Sequence, residues 1–156
     1  MNDKLEEVVD MMTDRNIEIM GICETRLPGQ GTNVIHNNYQ LIFKGMDSER
    51  KYGVAFILAP IIAEKVENIF YINERILAIT IKVDAERITF VQVYAPHQGR
   101  PQEEKVEYYT KLQNTLDSCG NTVKVVMGDM NAHVGRQRNN IENVIGAHGI
   151  GKRHDE

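Results

Sequence analysis

Hydrophobic and polar positions along this chain follow two periods, and the switches between them outline the fold. Leu5, Val8, Val9 and Met12 recur at helical spacing among acidic residues, which predicts an amphipathic helix with one core face. Residues 17–23, Ile-Glu-Ile-Met-Gly-Ile-Cys, predict a buried strand that ends at Glu24. Residues 25–38 hold Pro28, Gly29, Gly31, Asn37 and Asn38 and read as loop. A short strand over 39–43, a charged turn over 47–52 and a strand over 53–59 follow, the last stopped by Pro60. Residues 61–72 predict an irregular strand. Leu77, Ile79, Ile81 and Val83 share one face of a strand over 75–83, and 88–95 returns beside it as an antiparallel hairpin around Asp84-Ala85-Glu86. Pro96 ends that strand and His97-Gln98-Gly99-Arg100 forms a loop. Pro101 suits the first turn of a helix reaching about Ser118, with Val106, Tyr109, Leu112 and Leu116 as its apolar face. Cys119-Gly120-Asn121 closes it. Val123, Val125, Val126 and Met127 then predict a buried strand that stops at Gly128. From Ala132 onward the chain is rich in Gly, Asn and His and lacks periodicity. The order predicts a mixed α/β domain with antiparallel pairing rather than an alternating βαβ array.

Composition narrows the function classes. A chain of 156 residues makes one domain or part of one. Its 42% hydrophobic and 26% charged content is ordinary for a globular protein. A net charge of −4 argues against a dedicated nucleic-acid-coating protein but leaves room for a nucleic-acid enzyme, because metal at a site offsets carboxylates. The acidic residues Asp3, Glu6, Glu7 and Asp10 crowd the first part of the chain, and Arg, Lys and His the segment from Arg136. No apolar run approaches the ~20 residues that span a bilayer, so no membrane partner is expected. Nor is a secretory signal visible. Two cysteines, Cys23 and Cys119, do not make a disulfide framework, and Cys23 reads as a small buried hydrophobe. An intracellular setting, nuclear or cytoplasmic, fits.

Candidate chemistry sits where apolar strands stop. Glu24 ends the first strand, Tyr94 nearly ends the strand Phe90-Val91-Gln92-Val93, and Asp129 and Asn131 follow the valine-rich strand. In extended chain Asp129 and Asn131 point the same way. By itself, Asp-Met-Asn after a strand reads as a turn rather than a site. Three strand ends that each deliver a polar group to one edge favour a site built on rigid elements.

Cys23-Glu24-Thr25-Arg26, Tyr94-Ala95-Pro96 and Gly128-Asp129-Met130-Asn131-Ala132, in that order, resemble the endonuclease/exonuclease/phosphatase superfamily. Within it the chain looks most like the apurinic-type endonuclease domains of non-LTR retrotransposons. Lys51-Tyr52-Gly53-Val54-Ala55 and Arg75 also resemble family positions. The resemblance implies a DNase I-like four-layer fold, a two-sheet β-sandwich flanked by helices. It implies Mg²⁺- or Mn²⁺-dependent hydrolysis of phosphodiesters in DNA. By that likeness Glu24 is the metal ligand, Asp129 orients or deprotonates the attacking water, Asn131 hydrogen-bonds the phosphate or that water, and Tyr94 bonds a phosphate oxygen. Arg75 supports the site, and His97 or Arg100 touches the DNA backbone, although both also read as ordinary polar residues of an exposed loop.

The sequence also departs from the family pattern. The family's opening strand carries an Asn at the metal site, and Asn2 is a poor substitute for it. The family's late Asp and Asp-His pair have no match, since His154-Asp155 runs in the reverse order and His133 and His148 fit no better. The expectation is therefore a single partial domain over residues 1–156, incomplete at both ends, with weak or no nuclease activity in isolation. Strands near Ile19–Cys23 and Val123–Met127 are expected to leave open edges, inviting self-association or completion by another chain. Three functions follow in order: a retrotransposon-type endonuclease, a catalytically inactive interaction module on the same fold, and a phosphatase on lipid or nucleotide phosphates.

Overall fold

The computed structural model describes residues 2–120, 122–133, 135, 150 and 151. Asn121, the late candidates His148, His154 and Asp155, and the basic segment from Arg136 to 149 lie outside them. Helix α1 (Asn2–Asp14) leads into β1 (Ile19–Cys23), β2 (Gln30–Val34), β3 (Gln40–Lys44) and β4 (Val54–Leu58). The short helix α2 (Pro60–Ala63) precedes β5 (Val66–Asn73), β6 (Ile76–Val83) and β7 (Glu86–Tyr94). Helix α3 (Gln102–Ser118) then crosses to β8 (Val123–Asp129).

The strands form two sheets, ordered β1-β4-β3-β2 and β5-β6-β7-β8. Every pairing is antiparallel except β7 with β8. A parallel pair needs a crossover, and α3 supplies it. Ile42, Val54, Phe56 and Leu58 of the first sheet meet Leu77, Ile79 and Ile81 of the second in a core between them. The alternate residues Leu41, Ala55 and Ile57 face outward and bury Val9 and Met12 of α1. Ile76, Ala78, Val91 and Val93 do the same on the opposite side against Tyr108 and Leu112 of α3. The result is four layers, helix–sheet–sheet–helix. It explains why β4 is buried at every position, since a central strand covered on both faces is apolar throughout.

Helix α1 buries the face its periodicity predicts. Helix α3 does so only in part: Leu112 is buried and Leu116 packs against the core, but Val106 is 56% and Tyr109 41% exposed, and Lys105, Tyr108 and Thr115 are buried instead. The helix is turned by about one residue, because Tyr108 rather than Tyr109 takes the core and Tyr109 packs edge-on against it, centroids 5.1 Å apart. Thr115 fits inside because its hydroxyl donates to the Lys111 carbonyl, 2.8 Å away.

Four other expectations need correction. The 25–38 loop contains β2, an exposed polar edge strand registered on β3, and a 3-10 turn at His36–Asn38. Residues 61–72 open with α2, started by Pro60 in its first turn, before a strand whose register shifts twice. The 123–127 strand is not buried: Val123 is 58% exposed and Val126 41%. It pairs with β7 on one side only, and among the described residues neither face is packed as those of β6 are. β1, expected to be buried, is half-buried along its length and is the other sheet's edge strand. Both strands expected to be open at an edge are thus edge strands among the described residues.

Candidate active site

The ends of β1, β7 and β8 meet at one end of the sandwich. Parallel pairing of β7 and β8 sets Tyr94 beside Asp129 and Val93 beside Gly128. The Cys23 thiol, at the end of β1, donates across to the Val93 carbonyl at 3.2 Å and accepts from the Gln92 amide at 3.1 Å. These bonds tie the first sheet to the second one residue before Glu24. Burial pushes the Cys23 thiol up, so the residue is a neutral, half-buried bridge between sheets rather than a nucleophile.

Beyond Cys23 the backbone turns sharply. Glu24, Arg26 and Tyr52 all adopt positive φ, 56°, 53° and 55°. Non-glycine residues rarely do so, and such strain gathers at sites that the surrounding structure over-determines. Here the constraint is visible. The Thr25 amide donates to the Gly53 carbonyl at 3.2 Å and the Arg26 amide to the Tyr52 carbonyl at 2.8 Å. A side chain on Gly53 would run into the Thr25 hydroxyl, so glycine is what lets the two loops close.

The corner after β8 is equally fixed. The Asp129 carboxylate accepts from the Asn131 amide at 2.8 Å, and the Asn131 side chain donates to the Ala95 carbonyl at 2.7 Å. The Ala95 amide in turn donates to the Asp129 carbonyl at 2.8 Å. The turn geometry is therefore real, and it holds Asp129 and Asn131 against the end of β7.

Glu24 and Tyr94 close the cluster, the phenol donating to the carboxylate at 3.0 Å. Burial raises the Tyr94 phenol first, followed by this hydrogen bond and the Glu24 charge, while Arg75 opposes the shift. At neutral pH the phenol is protonated and is a donor. Glu24 remains half exposed, its side chain 51% accessible, with the Arg26 guanidinium 3.6 Å from its other oxygen.

Arg75 is only 6% exposed. It donates to the Tyr94 carbonyl and to Glu104, both at 3.1 Å, so it sits behind the cluster rather than in it. Arg100 donates to the same Glu104 at 2.8 Å, one helical turn away. His97 lies on the exposed loop, where its Nδ1 accepts from the Gly99 amide at 3.2 Å. Glu24, Tyr94, Asp129 and Asn131 thus come together, with Arg75 behind them on the Tyr94 carbonyl and Arg100 joined to Arg75 through Glu104. Tyr52, from the family-like stretch 51–55, and Glu104 join the surroundings of the site through Arg75. Glu104 had a signal, its i, i+4 spacing from Arg100.

The donors present are hard oxygens, a carboxylate on Glu24, another on Asp129 and an amide on Asn131. Among the described residues no three His, Cys, Asp or Glu converge on one point. A hydrated magnesium-type ion, which keeps several waters and needs one or two carboxylates, fits this donor set better than zinc.

Known proteins agree with this architecture. No protein-family profile matches the chain. It is 29% identical over 153 residues to craniofacial development protein 2 of Bos taurus, covering 97% of this chain and 25% of that protein. The same protein of Tragulus javanicus is 29% identical over 157 residues, covering 99% and 27%. The chain thus spans about a quarter of the length of these curated relatives. Among solved structures, TDP2 from Caenorhabditis elegans superposes with a TM-score of 0.52 at 10% identity, over 83% of this chain and 42% of that one. A truncated form of TDP2 gives 0.52 at 9%, over 83% and 55%. The chain has the endonuclease/exonuclease/phosphatase fold. On that DNase I-like frame, the cluster lies at the strand ends where both sheets contribute residues. Among the described residues no helix is long and apolar enough to cross a membrane.

Proposed function

We propose that the cluster of Glu24, Tyr94, Asp129 and Asn131 is the metal- and water-handling part of a phosphodiesterase site acting on DNA. The observation that carries this reading is the Tyr94–Glu24 hydrogen bond of 3.0 Å, which joins the ends of two different sheets beside Asp129. Glu24 would hold a Mg²⁺ or Mn²⁺ ion, whose contribution is to offset negative charge on a phosphate. Asp129, a carboxylate one strand away, orients the attacking water and takes up its proton. Asn131, pinned by Ala95, supplies an amide to the phosphate or that water. Tyr94 is kept protonated and so offers a hydrogen to an oxygen that gains charge. Arg100 and His97, on the loop after β7, are the groups proposed to meet a DNA backbone, while Arg75 supports Tyr94 through its carbonyl.

The cluster is open to water, with Asp129 exposed and Glu24 half exposed. Charges in such a setting are screened, and a dry preorganised site is what gives large accelerations. The proposed activity of the chain by itself is therefore slow. The test is conversion of supercoiled plasmid to nicked circle over hours in Mg²⁺ and in EDTA. Slow nicking in Mg²⁺ that EDTA abolishes is the expected result. Nicking that EDTA leaves unchanged would overturn the metal-dependent reading.

A second reading rests on a specific observation, the exposed valines of β8 at a sheet edge. An open apolar edge suits pairing with a second copy or another chain. In that case the fold serves as an interaction module, and a chain that binds no divalent ion favours it.

A further inference from the structure

The guanidinium of Arg75 lies 4.0 Å from the centre of the Tyr52 ring and 5.3 Å from that of Tyr94. The two rings are themselves 6.2 Å apart and inclined at 49°. Tyr52 reaches this place only through its left-handed backbone, which the Arg26–Tyr52 and Thr25–Gly53 bonds lock to the loop bearing Glu24. One end of Arg75 holds the Tyr94 carbonyl and the other Glu104 of α3. Cation–π contacts of this kind strengthen as water is excluded. Backbone strain such as that at Tyr52 persists only where the surrounding structure holds it in place.

We propose that Tyr52 and Arg75 form a positioning pair that holds the Tyr94 ring so that its hydroxyl meets Glu24. Tyr52 braces the ring from the Glu24 loop, and Arg75 braces it from β6 and α3. Neither touches substrate in this account. The role of Arg75 is to present a flat charged face to two rings, which lysine cannot do. The inference rests on the proposed site for its purpose, but its geometry stands without metal or DNA.

The charged and titratable groups facing Tyr94 are Glu24 from the β1 end, Arg75 from β6, Asp129 from β8 and Tyr52 from the β4 approach. The test is the position of the Tyr94 ring, read by NMR as contacts between its ring protons and the Glu24 side chain, using ring-labelled tyrosine and Tyr94→Phe for assignment. Tyr52→Asn removes the ring and tolerates positive φ, so the loop is not strained further. Tyr52→Phe keeps the ring.

In wild type and in Tyr52→Phe the Tyr94 ring protons are expected to contact the Glu24 side chain. In Tyr52→Asn those contacts are expected to be lost, because the released ring leaves Glu24. Arg75→Lys, which keeps the charge but not the flat face, is expected to weaken them in the same way. A Tyr52→Asn chain with native melting and unchanged Tyr94–Glu24 contacts would overturn the proposal, as would an Arg75→Lys chain identical to wild type. The measurement uses neither metal nor substrate. Absence of nicking would count against the proposed function and leave this result to stand or fall separately.

Discussion

Asp129→Ala is expected to reduce Mg²⁺-dependent nicking by about 10²- to 10⁴-fold, the range that a positioned general base contributes. The physical reason is its place. Asp129 is held beside Tyr94 by parallel pairing and by its carbonyl bond to Ala95, so its carboxylate stands at the strand end that also faces Glu24. The substitution removes the carboxylate but leaves that backbone bond. The loss in stability is expected to be about 1 kcal/mol, from one hydrogen bond to the Asn131 amide. Nicking rates and thermal melts on the same preparation separate the two effects. A variant that melts early and loses activity in proportion would show that Asp129 acts only by holding the corner.

Gly128→Ala is expected to have the largest effect on structure, about 3 kcal/mol or more, from strain and overpacking together. Gly128 has φ of +134°, and a side chain there would collide with the Val93 backbone of β7. The neighbouring atoms are main chain in a paired strand and cannot swing aside. Relief requires β8 to part from β7 just where Asp129 is held. Denaturant melts should show the loss, and Asp129 and Asn131 should be displaced even in the fraction that remains folded. A melt within about 0.5 kcal/mol of wild type would contradict the packing described for this corner.

Much of this arrangement is legible in the sequence, for identifiable reasons. The central strands β4 and β6 are apolar on successive residues because both faces are covered, and α1 shows its core stripe because its other face is acidic. Glu24, Tyr94 and Asp129 stand out because each interrupts an apolar run. Local pattern does not reveal what covers a surface. Val123, Val125 and Val126 announce a strand, yet β8 lies at an edge with its valines exposed. The phase of α3 is ambiguous where Tyr108 and Tyr109 are adjacent, and only the neighbouring sheet decides between them. Tyr52 is the clearest case. Its backbone conformation, the glycine after it and its ring on Arg75 are tertiary facts, visible once the loops after β1 and before β4 are closed. The polar strand β2 carries no strand signal of its own, because its register comes from β3 and not from its own side chains.

The central claim is that the strand-end cluster holds a divalent cation through Glu24. Mn²⁺ is a suitable probe, because its binding is read by electron paramagnetic resonance without requiring turnover. Titrating wild type and Glu24→Gln measures the claim directly. Glutamine keeps the shape and an acceptor for the Tyr94 hydroxyl while removing the charge. One Mn²⁺ site is expected in wild type and one weaker by about tenfold or more in Glu24→Gln. Equal Mn²⁺ affinity in the two chains, or no binding to either, would contradict it.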